Sequence, residues 1–188
     1  GKYTALHDAY ISVNEALKAA GWFYNKKVEI NWVDSETITR ETAPEILKDA
    51  NGIIVPGGFG SRGIEGMLEA IRYARINKVP YLGLCLGMQT AIIEFARDVL
   101  NFPDANSAEF NPGSMHPVIH LMPEQEKVTD LGATMRLGSY PCHLDPASKT
   151  YQLYGQADIS ERHRHRYEVN NDYREQLRTN GLVPVGFS

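Results

Sequence analysis

Cysteine is scarce in this chain. Cys85 and Cys142 are the only two in 188 residues and lie far apart, which excludes a disulfide framework and fits a reducing, cytoplasmic setting. No apolar run approaches the roughly 20 residues of a bilayer span, and no signal-peptide pattern opens the chain, so no membrane partner is expected. Excess positive charge is missing too. A net charge of −4 and a pI near 5.9 remove the electrostatic case for nucleic acid. There is no G-x-x-x-x-G-K-[ST] loop for nucleotide phosphates, no internal repeat and no low-complexity segment. What remains is ordinary globular composition, 43% hydrophobic and 22% charged, enough for one domain with a real core.

The most informative stretch is Pro80-Tyr81-Leu82-Gly83-Leu84-Cys85-Leu86-Gly87-Met88-Gln89-Thr90. Val79 to Leu84 is an apolar run of strand length. Beyond it Met88, Ile92, Phe95 and Val99 recur at helical spacing. Cys85 falls where one period gives way to the other, and Gly83 and Gly87 leave room around it. This is the pattern of a nucleophile elbow with a thiol in place of a hydroxyl. A helix N-terminus just beyond lowers a thiol pKa and offers free N–H groups to an anion.

The flanking chain alternates strand and helix. Tyr10, Val13, Leu17 and Ala20 predict a helix capped by Asp8 and closed by Gly21. Residues 28–33 alternate as a strand, and Pro44 starts a short helix. Gly52 to Val55 reads as a buried strand that feeds Pro56-Gly57-Gly58-Phe59-Gly60. Ile64, Leu68, Ile71 and Ala74 mark the helix that follows. The alternation predicts an α/β fold with a doubly wound, mostly parallel sheet and ligands at its carboxyl edge. Residues 101–117 read as a long surface loop, and 118–122 and 134–141 as short strands. A helical turn over 151–154, an extended 162–170, a helix over about 172–179 and a strand from Val183 complete the expectation.

Gly58 in the glycine turn and Leu86 after the nucleophile place two backbone N–H groups where an oxyanion could be held. In the run Glu161-Arg162-His163-Arg164-His165-Arg166-Tyr167-Glu168, an extended chain sets His163, His165 and Tyr167 on one face and the charged residues on the other. Two histidines without a third ligand at accepted spacing argue against zinc, and a basic strip for a carboxylate or phosphates fits better. None of His7, His116, His120, His143, His163 and His165 sits in a His-x-Glu unit after a strand, so the general base that a thiol nucleophile needs is not assigned.

P-G-G-F-G and G-L-C-L-G-M-Q, separated by a helix, resemble the class I (triad) glutamine amidotransferases, a flavodoxin-like α/β fold with helices on both faces of the sheet. D-A-Y-I-S-V-N-E-A-L, G-A-T-M-R-L-G and R-H-R-H-R-Y-E-V-N narrow the resemblance to the glutaminase domains of the CTP synthase family, over essentially all 188 residues. The resemblance implies that Cys85 forms a γ-glutamyl thioester, releasing ammonia, with Gly58 and Leu86 as the oxyanion hole. It implies that Gly58, Leu86, Gly87, Met88, Gln89, Glu109, Arg166 and Tyr167 hold glutamine, Glu109 meeting the ammonium and Arg166 the carboxylate. Arg62, Gly63 and Glu65 would lie at the site of GTP, an allosteric activator. The domain itself would need no cofactor or metal. ATP and Mg²⁺ would serve an amidoligase domain that aminates UTP, in a homo-oligomer, a tetramer at full length.

That amidoligase domain is not represented in the 188 residues, nor are the first strand and the C-terminal strands of the glutaminase domain. The family's H-P-E motif, which supplies His and Glu, does not occur in them either, so these residues alone are expected to be inactive. Two alternatives stand beside this reading. One is a DJ-1-like cysteine hydrolase, although there His follows the Cys and here Leu86 does. The other is a non-catalytic regulatory module that binds glutamine or GTP.

Overall fold

A computed structural model describes residues 1–121 and 136–188. They form two compact units, Gly1–Glu94 and Phe95–Ser188. In the first, a 3-10 turn over His7–Tyr10 runs into helix α1, Ile11–Phe23. Asp8 is not its cap, since Tyr10 occupies that position without a side-chain bond, and Gly21 does not end it. Gly21 is instead buried inside the helix, where a Cβ would lie 2.8 Å from the carbonyl oxygen of Lys26 and 2.7 Å from Val28. The glycine lets the returning chain approach closely, which overrides its role as a stop signal.

The alternation over 28–33 does not become a regular strand. One residue pairs beside it: the Gly1 N-terminus donates to Val33 O at 2.9 Å and Ser35 N donates to Gly1 O at 2.9 Å, the pattern of a parallel pair. After helix α2, Ala43–Leu47, with Pro44 in its first turn, strand β1, Ile53–Val55, leads through helix α3, Ile64–Asn77, to strand β2, Tyr81–Gly83. β1 and β2 pair in parallel, Ile53 opposite Tyr81, as the crossover demands. Helix α4 covers Leu86–Asp98.

Ile64, Leu68, Ile71 and Ala74 of α3 are buried as their spacing predicts. α4 differs. Met88 is exposed, while Leu86, Gln89, Thr90, Ile93 and Ala96 are buried beside Ile92. The inward face is thus rotated from the apolar stripe, because two polar residues on it are satisfied. Thr90 Oγ1 donates to Leu86 O at 2.9 Å, and Glu94 accepts Arg75 Nη2 at 2.7 Å and Nε at 3.0 Å, joining α3 to α4.

In the second unit strand β3, Asn106–Ser107, runs parallel to β4, Pro117–Leu121. Residues 101–117 are therefore not only surface loop: Ala105 and Ser107 are fully buried, and Asp104 accepts His116 Nδ1 at 2.6 Å and Met115 N at 2.8 Å. Strand β5, Arg136–Leu144, forms an antiparallel ladder with β6, Asp158–His165, with helix α5, Lys149–Tyr154, between them in sequence. The expected strand over 134–141 is this β5, and its residues 134 and 135 lie outside the described part, as does 122 beyond β4 and most of the Gly132–Gly138 motif. Strand β7, Tyr167–Val169, pairs antiparallel with β4. A 3-10 turn over Asn171–Tyr173 enters helix α6, Arg174–Thr179, and β8, Gly186–Phe187, pairs with β5. The mostly parallel expectation holds for β1 with β2 and β3 with β4, while β5, β6, β7 and β8 add antiparallel pairing. No described helix is long and apolar enough to cross a membrane.

Candidate active site

Cys85 follows β2 by two residues and immediately precedes α4. Its φ of +54° is left-handed, a conformation that costs an L-residue roughly 1–2 kcal/mol and that marks a strained elbow. The side chain is exposed at the positive end of a 13-residue helix, which favours an anion there. Two glycines make the elbow fit. A Cβ on Gly83 would overlap the Gly87 backbone, and a Cβ on Gly87 would overlap the carbonyl of Val55. The turn is then pinned by hydrogen bonds: Leu84 N to Val55 O at 2.9 Å, Gly87 N to Leu84 O at 3.0 Å, and Gln89 N to Cys85 O at 3.1 Å. Tyr81 Oη donates to Gly87 O at 2.7 Å, and burial pushes that phenol's pKa well up.

The glycine turn after β1 lies against the elbow. A Cβ on Gly57 would stand 3.5 Å from Cys85 Cβ, and one on Gly58 would stand 3.3 Å from the Leu86 side chain. Gly58 and Leu86 are thus neighbours, and Leu86, as the first residue of α4, carries one of the helix's unsatisfied N–H donors. Of the residues after the nucleophile, Gly87 and Gln89 are buried and Met88 is exposed.

The first residues of the chain hold this turn, which the sequence did not reveal. Lys2 is only 2% exposed, and its Nζ donates to Phe59 O at 2.8 Å and Gly60 O at 2.5 Å. Tyr3 Oη accepts Phe59 N at 3.1 Å. A lone lysine in an unremarkable context carries no sequence signal for such a role. Arg62 donates through Nη1 to Glu36 at 2.5 Å and through Nη2 to Lys2 O, and the Glu36 bond raises its pKa further. Gly63, at φ +70°, caps α3 against Ser35, and Glu65 is exposed in the first turn of α3.

Glu109, Arg166 and Tyr167 belong to the second unit. Glu109 is half-buried in the turn after β3, its N–H donating to Ser107 Oγ at 3.2 Å. Arg166 is half-buried at the bend between β6 and β7, and Tyr167 pairs opposite Leu121. The bend corrects the expected alternation, because the chain leaves β5 and joins β4 at this point. Glu168 is thereby brought to the histidine side, its Oε1 standing 3.7 Å from His165 Nε2. His163 Nδ1 and His165 Nε2 are 2.7 Å apart. Burial, more than any charge, holds both imidazoles below the usual histidine range.

The family described as Glutamine amidotransferase class-I matches residues 5–187. The chain is 58% identical over all its 188 residues to the CTP synthase of Caldanaerobacter subterraneus subsp. tengcongensis. It is 58% identical to that of Carboxydothermus hydrogenoformans and 54% identical to that of Staphylococcus saprophyticus. It spans only 35% of the length of these curated relatives. Among solved structures it is similar to the glutaminase domain of Trypanosoma brucei CTPS with bound acivicin, at a TM-score of 0.87 and 40% identity. That match covers 93% of this chain and 67% of the other.

Proposed function

Because the chain belongs to the class I glutamine amidotransferase family, we propose that it is a glutaminase domain that hydrolyses glutamine to glutamate and ammonia through Cys85. The observation that carries this reading is Cys85 itself, exposed at φ +54° ahead of α4 and beside the Gly57-Gly58 turn. The thiolate sulfur attacks the carboxamide carbon, and the oxygen takes up negative charge against the N–H groups of Gly58 and Leu86. The C–N bond breaks and ammonia leaves carrying the proton that the thiol gave up; water then adds its OH to the acyl carbon and its proton to the sulfur, giving glutamate and the free thiol. Gly58 and Leu86 to Gln89 line the substrate, with Glu109 on its ammonium, Arg166 on its carboxylate and Tyr167 supplying backbone. Charge-assisted bonds of this kind are the strong ones.

The relatives' name extends the reading. In a longer protein the ammonia would feed an amidoligase domain that aminates UTP to CTP with ATP and Mg²⁺, in a homo-oligomeric cytoplasmic enzyme, while the glutaminase domain uses no cofactor. GTP would act as activator at Arg62, Gly63 and Glu65. The decisive experiment is Cys85→Ala in the full-length protein, with ammonia release from glutamine and mass labelling by an electrophilic glutamine analogue as readouts. Loss of both is expected. Retained turnover would refute the assignment.

A further inference from the structure

We propose that His163, His165 and Glu168 form a binding site for a divalent metal of the Zn²⁺ class, built from none of the residues assigned to the chemistry of glutamine. The two histidines occupy alternate positions of β6, so both rings share one face, with centroids 5.0 Å apart. The bend at Arg166 supplies the third group, and the three donor atoms lie within 4.8 Å of one another. Tetrahedral zinc with ligands at 2.0–2.1 Å sets donor atoms about 3.3 Å apart. The separations of 2.7 Å between the imidazoles and 3.7 Å from His165 to Glu168 bracket that value, and His163 and Glu168 lie within 4.8 Å, so side-chain adjustment closes the site.

The donor chemistry points the same way. Two imidazoles and one carboxylate suit zinc and its transition-metal neighbours, whereas Ca²⁺ and Mg²⁺ take oxygen ligands. Arg136 Nη1 donates at 2.9 Å to Glu168 Oε1, the oxygen that stands 3.7 Å from His165 Nε2, and so orients the carboxylate as outer partners of metal ligands do. The guanidinium charge also weakens cation binding, so weaker binding than at a structural zinc site is expected. Whichever ring donates in the close imidazole contact, its proton moves to the outer nitrogen of the same ring when a metal takes the two facing lone pairs.

The chelate would close across Arg166, and on the reading of Arg166 as the carboxylate-binding residue, Zn²⁺ should raise the KM for glutamine. The test is calorimetric titration of the full-length protein with Zn²⁺ alone, in a Cys85→Ser, Cys142→Ser background that removes competing thiols. One Zn²⁺ per chain is expected, with His163→Ala and Glu168→Gln each weakening binding at least about tenfold and Arg164→Ala leaving it unchanged. Circular dichroism of each variant confirms folding. No binding, or binding indifferent to both His163→Ala and Glu168→Gln, overturns the site. With the cysteines restored, the KM for glutamine should rise with Zn²⁺, and the rise should vanish in His163→Ala. A rise that persists there overturns the link to Arg166 while the calorimetry still decides the site.

Discussion

At the scale of single residues, the site is governed by backbone positions that few side chains accept. Cys85 keeps its left-handed φ because Gly83 and Gly87 let β2, the elbow and β1 approach within a distance that any Cβ would block. Around that fixed point the proposed roles separate by charge. Glu109→Ala should raise the KM for glutamine about ten- to a hundredfold, the equivalent of roughly 1.5–3 kcal/mol for a lost charge-assisted bond. Steady-state kinetics with an unchanged KM would remove Glu109 from ammonium binding. Arg62 is held by Glu36 and by the Lys2 carbonyl, so an effector that recruits its guanidinium must compete with them. Arg62→Ala should therefore cut the fold-stimulation of hydrolysis by GTP, and full stimulation in that variant would exclude the role.

At the scale of elements, the α3–α4 pair shows why hydrophobic spacing alone misplaced a helix face. Apolar periodicity assigned α4 to Met88, Ile92, Phe95 and Val99, but polar groups with dedicated partners displaced that stripe. Glu94, with a side chain 4% exposed, is held by the Arg75 fork. Arg75→Met would leave a buried carboxylate uncompensated and should destabilise the fold by about 3 kcal/mol, measured by urea unfolding. A double variant Arg75→Met, Glu94→Leu should recover part of that loss, and failure to do so would mean the pair contributes packing more than charge. The bend at Arg166 is the second element-scale feature hidden from the sequence, because a strand that changes partners reads as one continuous run.

At the scale of the whole molecule, all 188 residues match relatives of which they span only 35% of the length. If glutamine hydrolysis and amination are separate reactions linked by ammonia, Cys85→Ala should abolish CTP formation from glutamine and preserve it from added ammonium salt. Loss of both in a folded variant would refute the division of labour.

By itself the sequence determined the local events: the strand-to-helix switch at Cys85, the glycine turn after β1, the α3 stripe and the strand–helix alternation from β1 to α4. These rest on periodicity and on residues such as glycine whose backbone freedom is intrinsic. Only the tertiary structure decided that Lys2 and Tyr3 hold the glycine turn, that Glu36 engages Arg62, that Gly21 serves contact rather than termination, and that Glu168 turns toward His163 and His165. Each joins residues through packing or a change of strand partner, and no spacing along the chain encodes a hydrogen bond whose two ends meet only after folding.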